Sequence, residues 1–144
     1  MIRYFHEETD FSLPRKALTK RWLKEVAARE GRRIGNINII FCSDAYLLGI
    51  NRQYLSHDYY TDIITFDDCE GNTLHGDLFI SIDSVRENAN EYADGRFDEE
   101  LDRVMVHGIL HLIGYDDHTA DEQKMMRTKE NEALALKAEM KEMK

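Results

Sequence analysis

The spacing of apolar residues changes period along the chain, and each change marks an element. Residues 2–6 alternate weakly, as a first strand does. After the single proline, Pro14, the residues Ala17, Leu18, Trp22, Leu23 and Val26 share one stripe at the spacing of a helix packed on one side. Gly31 and Gly35 bracket the next turn. Ile37, Ile39 and Phe41 then alternate with Asn36, Asn38 and Ile40, which predicts a strand with one face more buried than the other. Ser43 or Asp44 caps a helix through Leu47, Leu48, Ile50 and Tyr54. Residues 61–66, Thr-Asp-Ile-Ile-Thr-Phe, form a short β-branched strand. Residues 70–73, Glu-Gly-Asn-Thr, have the composition of a hairpin turn, and residues 74–82 return as a strand. Asp83 or Ser84 caps a further helix, and Gly95 closes the segment after it. Residues 98–113 predict an apolar helix and residues 120–143 a long amphipathic one.

No repeat, low-complexity tract or linker interrupts this series. A length of 144 residues suits a single core, so the chain reads as one domain over 1–144. Strands early and helices late predict the α+β class: a small mixed sheet packed against several helices, the apolar one central. An apolar fraction of 42% with 33% charged residues excludes a disordered or fibrous chain. No apolar run approaches the ~20 residues of a membrane span. The first residues, Met-Ile-Arg-Tyr, lack the basic-then-apolar order of a secretory signal. Cys42 and Cys69 match neither a disulfide framework nor a zinc spacing, so both thiols are expected reduced and the chain cytoplasmic.

Charge changes the picture in one place. The net charge is −9, yet Arg15, Lys16, Lys20, Arg21, Lys24, Arg29, Arg32 and Arg33 against Glu25 and Glu30 make residues 15–33 a +6 segment. Such a helix is either a solvated face or a surface that docks on a phosphate backbone.

Candidate chemistry concentrates in residues 107–118, His-Gly-Ile-Leu-His-Leu-Ile-Gly-Tyr-Asp-Asp-His. Around them, Leu101, Val104, Met105, Val106, Ile109, Leu110, Leu112 and Ile113 leave the helix almost no polar face, so it must be buried. A separation of four residues puts His107 and His111 on one face, within reach of a shared ion. Gly108 costs roughly 1 kcal/mol of helix stability relative to alanine, which implies a packing or functional reason for it. Gly114 stops the helix, and residues 119–122, Thr-Ala-Asp-Glu, form a capping box that fixes the loop around His118. Three imidazoles, His107, His111 and His118, with one open position are the ligand set of a catalytic zinc site, with a single Zn2+ expected. In the metalloprotease helix His-Glu-x-x-His a glutamate follows the first histidine as the base; Gly108 stands there instead, which counts against peptide hydrolysis. Asp116 and Asp117 are either a solvated turn or groups that orient a ligand or the attacking water.

His-Gly-x-Leu-His-Leu-x-Gly-Tyr-Asp, read from His107 to Asp116, resembles the signature of the YbeY family of zinc-dependent endoribonucleases. Asn51-Arg-Gln-Tyr54, His57-Asp58 and Thr61–Phe66 are similar to that family's Asn-x-x-Tyr-Arg-x-Lys-Asp-x-Pro-Thr-Asp-Val-Leu-Ser-Phe segment, and Gly76–Ile80 to its Gly-Asp-Ile-x-Ile strand. The resemblance implies an α+β domain that cleaves single-stranded RNA. It also implies action on the 3′ end of 16S rRNA, ribosome quality control, the small ribosomal subunit as partner, and His107, His111 and His118 on the metal. Two positions depart from it. One extra residue precedes His118, which makes Asp117 the alternative third ligand. Leu55 stands where the family has an arginine, and Arg52, one helical turn earlier, is the candidate to replace it. A hydrolase of another substrate and an assembly factor with a mainly structural zinc are the competing readings.

Overall fold

A computed structural model of the chain describes residues 1–142, so the final position of the helix predicted over 120–143 lies outside the described residues. The elements run β1 (Ile2–Glu7), α1 (Lys16–Arg29), β2 (Arg33–Cys42), α2 (Asp44–Leu55), β3 (Ile63–Asp67), β4 (Thr73–Ser81), α3 (Ile82–Tyr92), α4 (Phe97–Ile113) and α5 (Ala120–Glu142). The four strands form one mixed sheet in the order β1-β2-β4-β3. β1 and β4 lie parallel to β2, and β3 closes the edge antiparallel to β4. The expected α+β architecture is thus observed.

Strand alternation divides the core. Ile37, Ile39 and Phe41 of β2 and Leu74, Leu78 and Ile80 of β4 face α1, α4 and α5, in a core that also holds Trp22, Leu101, Met105 and Ile109. Cys42, Ile64, Phe66 and Phe79 point to the other face, where Leu47, Tyr46 and Ile50 of α2 cover them. Both cysteines are free. Burial among aliphatic groups, with Asp44 and Asp83 near by, pushes the Cys42 thiol up to about 12, so it acts as a small apolar side chain.

Two start signals land differently from expectation. Ser43 caps α2 as expected, its Oγ accepting from the Tyr46 amide at 3.1 Å. For α3 the cap is Ser81, whose Oγ accepts from the Ser84 amide at 3.1 Å, rather than Asp83 or Ser84. The reason is that β4 runs directly into α3, so the last strand residue is the cap. Asp83 instead accepts from the Asp44 amide at 2.9 Å, across the start of α2.

The long helix α5 is held by a buried stripe of Met126, Glu130, Ala133 and Lys137. Lys137 Nζ donates to Asp102 Oδ1 at 2.6 Å and lies 4.7 Å above the Trp22 ring. Trp22 Nε1 in turn donates to the Ala133 carbonyl at 2.8 Å. Desolvation raises the Asp102 carboxyl while Lys137 opposes the shift, the mark of a charge tolerated only because it is paired. α1, α4 and α5 therefore meet at one fully satisfied polar knot within apolar packing.

Two glycines set how closely the α4 layer approaches the sheet. A Cβ on Gly108 would lie 2.9 Å from Ile63 Cδ1 and 3.0 Å from the Leu78 methyls. A Cβ on Gly76 would lie 2.3 Å from the Phe66 carbonyl oxygen and 3.3 Å from Leu112 Cδ2. Gly108 thus has the packing role that its cost required. Gly76→Ala is expected to destabilise the fold by about 2–4 kcal/mol, because a backbone carbonyl cannot yield. Gly108→Ala meets only methyl ends and regains roughly 1 kcal/mol of helix propensity, so its net cost should be smaller. Urea unfolding of the two variants checks this, and the reverse ranking would refute the packing argument.

Candidate metal centre

The buried face of α4 stops at one edge, and His107 and His111 stand on that edge. Their side chains are 22% and 25% exposed and their ring centroids lie 4.7 Å apart at an interplanar angle of 81°. The turn after Gly114 brings in Asp117, whose Oδ2 lies 3.4 Å from His107 Nε2 and 3.5 Å from His111 Nε2. These three residues offer donor atoms all within 4.8 Å of one another, the one such group among the described residues. Two imidazoles and a carboxylate fit a zinc site that keeps a position open.

His118 is exposed and lines the same cavity one residue further along, without joining that group. The expected capping box is present: Glu122 Oε1 accepts from the His118 and Thr119 amides at 3.2 and 2.9 Å, and Thr119 Oγ1 accepts from the Glu122 amide at 3.1 Å. It fixes the turn with Asp117 toward the histidines. Arg52 pairs with Asp58 at the surface and does not line the cavity, whereas Leu55 does. None of the eight basic side chains of residues 15–33 lines the cavities around the histidines.

Three functional groups escaped the reading of the sequence. Glu130 Oε2 lies 2.7 Å from His107 Nδ1, and its Oε1 accepts from Arg103 Nη1 at 3.0 Å. A carboxylate only accepts, so Nδ1 carries a proton, and in the neutral ring Nε2, the nitrogen that faces Asp117, is left with the lone pair. Burial pushes the Glu130 carboxyl up, but the His107 and Arg103 hydrogen bonds outweigh it and the net shift is downward. Desolvation likewise lowers His107, and Glu130, Asp117 and Asp62 together reverse this to a net rise. The available signal was a carboxylate on the apolar stripe of α5 and an arginine one turn before His107.

The third group is Asp62, at the entry to β3. Ile63 pairs with Ile80, which sets Asp62 beside the end of β4, where Asn88 Nδ2 of α3 donates to its Oδ2 at 3.3 Å. Desolvation raises the Asp62 carboxyl, and the field of His107 offsets part of the rise. Asp62 borders two cavities that meet at His107 and Asp117. One, about 400 Å³, lies among α3, α4 and α5 with Arg96, Arg103 and Arg127 in its wall. The other, about 480 Å³, lies under the α2–β3 loop.

Comparison with known proteins adds the family. The family model described as Endoribonuclease YbeY matches residues 3–137. An Endoribonuclease YbeY of Phocaeicola vulgatus is 54% identical over 136 residues, covering 94% of this chain and 98% of that protein. One of Bacteroides thetaiotaomicron is also 54% identical, over 85% of this chain and 89% of that protein. The solution structure of TM1509 from Thermotoga maritima superposes with a TM-score of 0.66 at 30% identity, over 93% of this chain and 87% of that one. With the family model matching residues 3–137 and relatives this similar over most of their length, the chain belongs to the YbeY family of endoribonucleases.

Proposed function

We propose that this protein is a zinc-dependent endoribonuclease that cleaves unpaired RNA, acting in the cytoplasm on the 3′ end of 16S rRNA and in ribosome quality control with the small ribosomal subunit. The observation that carries the reading is the convergence of His107, His111 and Asp117 where two solvent cavities meet, in a chain of this family. Among the described residues no helix is long and apolar enough to cross a membrane.

His107, His111 and Asp117 hold the ion in this reading, and His118 stands beside them in the cavity wall. A bound zinc supplies a Lewis acid for a phosphoryl oxygen at neutral pH. Glu130 fixes the His107 ring and its tautomer from behind, which frees Nε2 for the ion. The position that would hold a protease base is Gly108, pressed against Ile63 and Leu78, so no base reaches the site from there. Asp62, which lines the same cavities, serves as the base in its place, and its carboxylate accepts the proton of the water that attacks phosphorus. Burial raises its affinity for that proton, which makes it a stronger base than an exposed aspartate.

Metal analysis of the purified protein tests the ligand set. One zinc per chain is expected in the wild type and in His118→Ala, with loss from His111→Ala and Asp117→Ala. Zinc retained by Asp117→Ala but lost from His118→Ala would move the third ligand to His118. Glu130→Gln should bind zinc about 10–100-fold more weakly in a chelator competition, since His107 and Arg103 use different oxygens and one of them becomes an NH2 that cannot accept. Unchanged zinc affinity would remove Glu130 from the site.

Asp62→Asn should keep its zinc and lose about 10²–10⁴-fold in kcat on single-stranded RNA. The sign of the pH dependence follows from the raised carboxyl: the base is active when ionised, so activity falls on acidification at a higher pH than for an ordinary aspartate. That limb of the kcat profile should vanish in Asp62→Asn. A variant with wild-type kcat and an unchanged profile would show that Asp62 is not the base.

A further inference from the structure

The loop between α2 and β3, residues 56–62, displays exposed aromatic side chains. Tyr59 is 55% exposed and Tyr60 65%, and Tyr54 at the end of α2 is 60% exposed. Large aromatic side chains left this exposed are available to a binding partner. The loop is nevertheless well anchored. Buried Asn51 donates from Nδ2 to the Tyr59 carbonyl at 2.9 Å, and its own carbonyl accepts from the His57 amide at 3.2 Å. Tyr59 stacks on His57 with ring centroids 5.1 Å apart and an interplanar angle of 23°, and the Tyr59 hydroxyl lies 3.0 Å from His57 Nδ1. The two rings are thus locked together as a flat, preorganised surface.

Both rings line the cavity that ends at His107, His111 and Asp117. Among the described residues no lysine or arginine lines that cavity, whose acidic wall residues are Asp62, Asp67, Asp116 and Asp117. The cation nearest in sequence, Arg52, is paired with Asp58. A wall without cations gives a phosphate nothing to bind, whereas a fixed aromatic face beside carboxylates suits a neutral, flat, stacking group. We propose that the Tyr59–His57 pair is a stacking platform for the nucleobase that flanks the scissile phosphodiester of an unpaired RNA strand. The proposal rests on the ribonuclease reading above and deepens it. The phosphate sits at the metal ligands and the adjoining base lies along the aromatic wall, so a base already stacked within a duplex cannot use the platform.

The test is steady-state cleavage of a short unpaired RNA by the zinc-loaded protein, alongside the same RNA with an abasic nucleotide at each position flanking the cleaved bond. Tyr59→Ala should raise KM roughly tenfold with kcat changed by less than about twofold, and Tyr59→Phe should restore the wild-type KM. One abasic position should raise the wild-type KM by a similar factor and leave that of Tyr59→Ala unchanged, because base and ring are lost as a pair. Equal KM for wild type and Tyr59→Ala on the intact RNA overturns the platform while the ribonuclease reading stands, and so do abasic and Tyr59→Ala losses that simply add. If the wild-type protein cleaves no RNA, the ribonuclease reading falls and the platform with it.

Discussion

A single buried carboxylate, Glu130, ties the scaffold to the chemistry. A charge taken out of water costs several kcal/mol unless its oxygens are satisfied. Here Arg103 and His107, one turn apart on α4, satisfy both. The bond therefore sets the axial register of α5 against α4, and the same contact puts a proton on Nδ1 of a histidine in the candidate metal centre. Seven residues further along the stripe, Lys137 and Asp102 repeat the device at the far end of the helix pair. Between these two polar contacts the interface is apolar and has no direction of its own. The ion pairs make one alignment far better than its neighbours.

The second constraint comes from the sheet. α4 is apolar on nearly every side, so it needs cover from β3, β4, α1, α3 and α5 together. Gly108 and Gly76 let it sink close to the strands, where Ile63, Leu78 and Leu112 fill the space that larger side chains would take. This depth puts the edge carrying His107 and His111 level with the start of β3. Asp62 then reaches the site from the sheet rather than from the histidine helix. A glutamate at position 108 would project into Ile63 and Leu78, so the packing and a base at that position are mutually exclusive.

What was legible in the sequence follows the range of the interactions involved. His107 and His111 were legible because helical geometry alone fixes their separation. The Thr119–Glu122 box and the hairpin at Glu70–Thr73 were legible because their hydrogen bonds close within a few residues. Gly108 was legible as an anomaly but not in its cause, which lies in a strand 30 residues away in one case and 45 in the other. Asp62, Arg103 and Glu130 could not be given a role from the sequence, since each acquires it from a partner on a different element. Position 118 shows the same limit within a loop. The sequence leaves Asp117 and His118 both open as third ligand; the path of the turn puts Asp117 Oδ2 within 3.4 and 3.5 Å of the two imidazoles, with His118 in the same cavity wall.

The electrostatics of the site then explain how an acidic protein can hold a polyanion. The arginines nearest the histidines are partly spent: Arg103 on Glu130 and Asn131, Arg127 beside Glu130, Arg96 on Glu99. Carboxylates outnumber them around His107, and a bare phosphate would be repelled. A divalent ion held at His107, His111 and Asp117, as proposed, would reverse that local sign and couple metal loading to attraction of the phosphodiester. With the phosphate held at one point, the rest of the affinity must come from groups that do not depend on charge. The Tyr59 and His57 rings of the α2–β3 loop would be such groups, since both line the cavity whose walls carry carboxylates.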